Sequence, residues 1–344
     1  MSFGTPWNDD NRSPRHAPGS RELAAEVRRA AEKLIADLEQ AERLTGNWAR
    51  EELADALVDA ALSQCLSRLS ATGCWGEENR LPSSELWSAA GRLLEVGSLQ
   101  HHARSKPHGY AGDYEMLTRI CEQSSCRHPL GRVFDRYFLR QAAPQAVRSR
   151  TWQTVAALVS HCMKRCGGYH AVSVGSGPAI ELREAIGMLP GDRRAELRVT
   201  LLDLDPAALD CARHRIEPLL PSGALRCVRT NLARLAQTAD RATILGSPDF
   251  LVCSGLFDYL DDDSATATLR LFWERLAGGG LLLVGNFAPH NPTRAYMEWI
   301  GNWYLTYRTA EQLTRLATRA EIPPEKFTVG CEQLGVDLFL IGTG

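Results

Sequence analysis

Two short segments of the chain carry residues whose types and order fit one chemical task. Ala171-Val-Ser-Val-Gly-Ser-Gly-Pro-Ala179 puts Gly175, Ser176 and Gly177 where an apolar strand would end. Glycine at such a point lets the chain turn tightly and lets a ligand approach the backbone. About one helix later, Leu201-Leu-Asp-Leu-Asp-Pro206 places Asp203 at the end of a second apolar run, 26 residues beyond Gly177. A carboxylate there can accept both hydroxyl protons of a ribose, so the two segments predict an adenosine-binding strand-loop-helix-strand unit. Asp205 competes for that role, and otherwise caps the helix that begins at Pro206.

A nicotinamide dinucleotide would use the same carboxylate. Its loop rests a pyrophosphate on a helix N-terminus, and Ala179 satisfies the third position of that pattern, whereas Pro178 stiffens the turn. Other residues must decide the chemistry. Ser254 and Gly255 follow a buried-looking run, Phe250 to Cys253, and so fall at the carboxyl edge of a sheet, where open α/β folds bind ligands. Asp258, between Phe257 and Tyr259, either orients or deprotonates a substrate group or caps a helix. Asn286-Phe-Ala-Pro-His-Asn-Pro-Thr-Arg294 gathers His290, Asn291 and Arg294 on one predicted loop. With a carboxylate substrate, Arg294 or His290 holds an already ionised nucleophile and no base is needed. With a hydroxyl or amine, His290 or Asp258 must take a proton. Trp299, Trp303, Tyr304 and Tyr307 form an aromatic run on a helix predicted from near Pro292, as core or as an apolar wall for a substrate.

The elements that must position these groups are legible as patterns. Residues 1–20 are polar and Pro-rich and read as a flexible arm. Leu23, Val27, Leu34 and Leu38, then Leu53, Leu57, Leu62 and Leu69 after a break at Gly46, repeat at helical spacing. Further helices are predicted over 82–94, 112–122 and 130–165, completing a helical region over 21–144 that would cover the site and select a substrate. Strands are predicted at 171–174, 197–202, 224–229, 250–253 and 280–286, with helical patterns between them. That alternation gives an α/β fold with a mostly parallel sheet and helices on both faces, over 145–344. Two last strands, near 326–329 and 336–341, are close enough to pair as an antiparallel hairpin.

The 344 residues, 44% hydrophobic, suffice for a large core, and a formal charge of −2 provides no basic field for nucleic acid. No apolar run reaches the ~20 residues of a membrane span, and the first twenty residues lack the apolar core of a secretory signal, which predicts a cytoplasmic protein. Ten irregularly spaced cysteines, several inside apolar runs, read as reduced. His161, Cys162, Cys166 and His170 imitate a metal cluster but lack a second ligand pair at a known spacing, so no metal is predicted.

From about residue 130 onward the chain resembles a class I S-adenosylmethionine-dependent methyltransferase. Val174-Gly-Ser-Gly177 resembles its first motif, Leu201 to Pro206 its second and Pro248-Asp-Phe-Leu-Val-Cys-Ser-Gly-Leu-Phe-Asp-Tyr-Leu260 its fourth. The resemblance implies a Rossmann-like sheet with an antiparallel last strand. It also implies S-adenosylmethionine as cofactor, bound by Gly175, Ser176, Gly177, Asp203, Leu204, Asn231, Leu232, Ser254 and Gly255. Arg150, or its neighbour Arg148, would pair with the methionine carboxylate. Asn231 stands where the family often places an Asp against the adenine, and Ser173 where many members carry an acid.

A narrower resemblance rests on Lys106-Pro-His-Gly-Tyr-Ala-Gly-Asp-Tyr-Glu-Met116, Gly255 to Leu260 and Trp303-Tyr-Leu-Thr-Tyr-Arg-Thr309. It spans Leu93 to the C-terminus and is to bacterial 3-hydroxypalmitic acid methyl ester synthases. It implies carboxyl O-methylation of a fatty or other hydrophobic acid. The segment 108–114 is then either a lid, with Tyr110 or Tyr114 facing the sulfonium, or a turn capping a helix at Asp113. Asp258, His290 and Tyr114 are the catalytic candidates, and a small-molecule acceptor is the expected partner, with a homodimer left open. The rivals are N-, O- or C-methylation of a specialised metabolite and, because of Ser173 and Asn231, a cofactor-binding regulator without turnover.

Overall fold

The computed structural model describes residues 20–46, 50–237 and 240–344. Of the expected arm, residues 1–19 lie outside the described residues, and Ser20 already opens the first helix. Among the described residues, seven α-helices precede the first strand: α1 Ser20–Glu42, α2 Glu51–Ser70, α3 Arg80–Leu94, α4 Ser98–Ser105, α5 Tyr114–Glu122, α6 Pro129–Leu139 and α7 Ala142–Met163. The helix predicted over 130–165 is thus two, parted at Arg140 and Gln141. Pro144 falls in the first turn of α7, where its missing N–H costs nothing. The short α4 was not predicted, since two histidines and an arginine mask its periodicity.

The strands are β1 Tyr169–Val174, β2 Leu197–Asp203, β3 Leu225–Arg229, β4 Phe250–Cys253, β5 Leu281–Phe287, β6 Phe327–Cys331 and β7 Asp337–Thr343. Between and after them run α8 Ile180–Met188, α9 Gly191–Ala195, α10 Pro206–Ile216, α11 Arg241–Leu245, α12 Asp262–Arg275 and α13 Ala310–Arg319. One sheet is formed in the order β3-β2-β1-β4-β5-β7-β6. The first five strands are parallel, and β7 runs antiparallel to both β5 and β6. This is the Rossmann-like class I methyltransferase sheet the sequence predicted, with its reversed strand and C-terminal hairpin. The order reverses between β1 and β4, and open sheets of this kind bind ligands at such a switch point.

Side-chain alternation builds a core on each face. Val172, Val174, Leu251 and Cys253 point toward Leu269 and Phe272 of α12 and Leu313 and Leu316 of α13. Tyr169, Ala171, Phe250 and Val252 point the other way, toward Val155 and Leu158 of α7, Leu182 and Ile186 of α8 and Ala212 of α10.

Two compact units result. One contains residues 146–291 and 305–344, and the other contains the helical residues up to Gln145 together with Pro292–Tyr304. Within the second unit, the Ser83 hydroxyl donates to the carbonyls of Glu298 and Trp299, and Tyr296 donates to Gln100 and stacks on Phe138. The helix predicted from near Pro292 forms only over residues 294–300, so Trp299 lies on it and Trp303, Tyr304 and Tyr307 fall beyond its end. Tyr296–Ile300 makes one π-helical turn, after which Asn302 adopts a left-handed φ of 50° and ends the helical path.

Candidate functional site

The loop after β1 is shaped by its glycines. Gly175 and Gly177 have φ of 66° and 49°, and the N–H groups of Gly175 and Ser176 both donate to the Leu202 carbonyl at 2.8 and 3.0 Å. The loop is thereby pinned to the end of β2. Ala179, fully buried at the start of α8, also takes a left-handed φ of 49°, an uncommon cost for a residue with a Cβ. The Ser176 hydroxyl is buried without a hydrogen-bond partner. An orphaned hydroxyl beside the glycine loop is a group awaiting a ligand atom or a water.

Asp203 ends β2. One carboxylate oxygen accepts from Gly177 N at 2.8 Å and the other from Asp205 N at 3.0 Å. Each oxygen keeps a further acceptor position, which suits a diol. Burial pushes the Asp203 carboxyl above its ordinary range, against the lowering effect of those N–H groups. Asp205 caps α10, accepting from Ala207 N at 2.8 Å, which meets the cap reading of that residue. Leu204, between them, is 52% exposed, an apolar surface at the carboxyl edge of β2. Asn231 is exposed just beyond β3, where Thr230 N donates to the Asp203 carbonyl at 2.9 Å. Leu232 opens a 3-10 turn, and its side chain lies outside the described residues.

Beside this loop, at the same edge, sits a buried charge cluster. Arg150 of α7 donates from one nitrogen to the Ser254 carbonyl at 3.1 Å and to Asp337 at 2.8 Å. Its guanidinium lies 5.7 Å from the centre of the Phe287 ring. Gly255 passes close by, since a Cβ built there would be 3.5 Å from Arg150. Gly285 of β5 has no such latitude, because a Cβ would meet the Ser254 carbonyl at 2.5 Å. Arg150 is therefore bound to a protein carboxylate, where the resemblance implied a cofactor carboxylate. Glu181, in the first turn of α8, is pushed up by burial and held down in part by Arg150.

Asp258 lies in a short turn after β4 and accepts from Phe287 N at 2.8 Å and from the Asn286 amide at 3.0 Å. It caps no helix, and that alternative falls: α12 is capped by Asp261, which accepts from Ser264 N at 2.7 Å. Burial, and then the neighbouring Asp337, raise its carboxyl well above the ordinary range, and Asp337 is raised by burial against the pull of Arg150. Arg308, 1% exposed, ties the turn together by donating to the Phe257 and Leu260 carbonyls, the Asn286 side chain and Asp262. Asp337, Glu181 and Arg308 were not singled out from the sequence. Their one signal is charge inside apolar surroundings, as at Asp337 between Val336 and Leu338.

The remaining candidates each have partners of their own. His290 is exposed and donates from Nε2 to the Gly335 carbonyl at 2.8 Å, which ties it to the β6–β7 turn. Arg294 belongs to the helical unit, paired with Glu298 at 2.7 Å and lying 4.7 Å from the Trp75 ring centre. A buried carboxylate thus already engages its guanidinium. Tyr110 and Tyr114 are half-buried in the helical unit. The turn reading of their segment is met: Asp113 caps α5 through Met116 N at 2.9 Å. The same carboxylate also takes His102 Nε2 at 2.7 and 2.8 Å. Among the described residues no group of three or more His, Cys, Asp or Glu is arranged to hold a metal ion, and no helix is long and apolar enough to cross a membrane. His161 is engaged by Tyr169 and the Gly279 carbonyl, and His170 by Thr200.

The fold and its edge define an α/β protein of the class I methyltransferase architecture. The chain is similar in structure to a possible exported protein from Bordetella parapertussis, at 21% identity and a TM-score of 0.54, over 96% of this chain and 97% of that one. It is less similar to the CurJ carbon methyltransferase, at 12% identity and a TM-score of 0.48, over 94% and 92% of the two chains. The pyocyanin biosynthetic protein PhzM follows at 15% identity and a TM-score of 0.42, over 94% and 95%. No family model matches the sequence, and no curated protein matches it significantly.

Proposed function

We propose that the protein is an S-adenosylmethionine-dependent methyltransferase acting on a small molecule. The observation that carries this reading is the coupling of Asp203 to the glycine loop, with the unpartnered Ser176 hydroxyl on one side and the exposed Leu204 on the other. In this reading Asp203 accepts from the ribose hydroxyls, Leu204 packs against the adenine, and Asn231 and Leu232 border it. Ser254 and Gly255 flank the methionine end, with Arg150 holding the β4 edge in place as well as facing that end. The bound cofactor supplies an electrophilic methyl group. The chain's own contribution is positioning and exclusion of water.

The acceptor we propose is the carboxyl group of a fatty or other hydrophobic acid, as the narrower sequence resemblance implies. Such a nucleophile is ionised at neutral pH and requires no base. N-, O- or C-methylation of a different metabolite is favoured by one observation: His290 keeps a second ring nitrogen on an exposed loop, and Asp258 is poised as a proton-binding carboxyl. Incubation with methyl-labelled cofactor and a panel of acids, amines and phenols, read by mass spectrometry, separates these. The expected product is a base-labile methyl ester of an acid. Products confined to amines or carbon would overturn the carboxyl assignment, and absence of transfer to every acceptor would favour a regulator without turnover.

A further inference from the structure

Within the helical unit, three cations gather with one carboxylate among them. Arg80 opens α3 and pairs with Glu77, with a second contact at 2.8 Å, and its guanidinium lies 4.7 Å from the Tyr304 ring centre. Arg104, near the end of α4, is held rigidly: it donates to the Ser83 hydroxyl at 3.1 Å, the Ser83 carbonyl at 3.1 Å and the Ile300 carbonyl at 3.3 Å, and lies 4.6 Å from the Trp87 ring centre. Burial lowers it to about 10. Lys106, two residues on, is half-buried and sits in left-handed backbone at φ 50°. Its ammonium makes no hydrogen bond or salt bridge among the described residues.

Lys106 is the informative member. An unpaired lysine on a surface normally extends into water, where its charge is solvated. Here burial and then the neighbouring Arg80 and Arg104 disfavour the charged form, and Glu77 offsets them only in part. Glu77 is itself 81% exposed and spent on Arg80, so about two positive charges are left without a counter-charge. Glu298, the other acid near Tyr304, is committed to Arg294 and to Gly76 N. The left-handed backbone of Lys106 ends α4 as its C-cap, with the Lys106 N–H donating to the His102 carbonyl at 3.0 Å. Like charges crowded on a partly dry surface are stabilised by an anion that bridges them.

We propose that Arg80 and Lys106, backed by the fixed guanidinium of Arg104, form a binding site for an oxyanion, the carboxylate or phosphate of a small molecule. Glu77 leaves Arg80 when the anion arrives, a small cost for an exposed ion pair. The site does not rest on the methyl-transfer reading, and its test does not use activity.

Inorganic phosphate and octanoate are titrated calorimetrically into the full chain, its Lys106→Met and Arg80→Met variants, and Lys326→Met as an equal change of charge at an exposed lysine elsewhere. The wild type and Lys326→Met are expected to bind at least one anion alike, and the two cluster variants at least tenfold more weakly. Binding of phosphate alone or octanoate alone identifies the source of the oxyanion. No binding to the wild type, or equal binding by Lys106→Met, overturns the site. Acylation of lysines mapped by mass spectrometry gives a second readout without a variant: the bound anion is expected to protect Lys106 and not Lys326. Unchanged labelling of Lys106 at saturating anion would contradict the proposal.

Discussion

Asp258 and Asp337 are closed off from water and close enough that each charge opposes the other. Both carboxyls are therefore raised in the folded chain, whereas in the unfolded chain they ionise near pH ~4. Between that value and the raised ones, the native state holds protons that the unfolded state has lost, so stability falls as pH rises through the window. Asp258→Asn keeps an acceptor oxygen for Phe287 N and removes the titration. Urea melts from about pH 5 to about pH 8 should show a shallower decline for this variant than for the wild type. Parallel curves would contradict the assignment. This cluster could not be read from the sequence, because Arg150, Asp258, Asn286, Arg308 and Asp337 meet only after five separate elements pack. Gly175, Gly177 and Asp203 could be read, because a strand, a tight turn and a helix bring them together locally.

Among the elements, strands were legible wherever β-branched and aliphatic residues ran between turn signals, and helices wherever apolar spacing persisted. The end of the helical path after Ile300 has a physical cause. The aromatic run keeps helical spacing on paper, but Thr306 N donates to the Asp258 carbonyl and Arg308 N to the Phe287 carbonyl, and those bonds require extended chain. α13 starts only after that, with a capping box in which the Thr309 hydroxyl accepts from Gln312 N and the Gln312 side chain accepts from Thr309 N. Thr309→Ala should cost about 1 kcal/mol of unfolding free energy, measured by chemical denaturation. A loss within a few tenths of a kcal/mol of zero would show that the cap does not support the helix.

Across the whole molecule, the chain does not divide at one point. Residues 292–304 are returned to the helical unit, where Trp299 and Tyr296 are buried and Glu298 receives Arg294 and Gly76 N. A fragment of residues 1–145 lacks those partners, and its Ser83 and Gln100 side chains lose theirs. It should therefore show weak, non-cooperative helical signal in circular dichroism, and a fragment that melts cooperatively on its own would contradict this. Such a long-range return leaves no mark in local sequence patterns. The alternation of strands and helices did carry through to the molecular scale, since it depends on period alone.

The proposed methyl transfer requires the Asp203 carboxylate to serve an adenosine cofactor at the edge of β1 and β2. Calorimetric titration of S-adenosylhomocysteine into the wild type and Asp203→Ala tests it most directly, with a nicotinamide dinucleotide as the control ligand. Binding to the wild type, at least tenfold weaker in the variant (about 1.4 kcal/mol), with no binding of the dinucleotide, is the expected result. Equal affinity in the two proteins, or dinucleotide binding in place of S-adenosylhomocysteine, would contradict it.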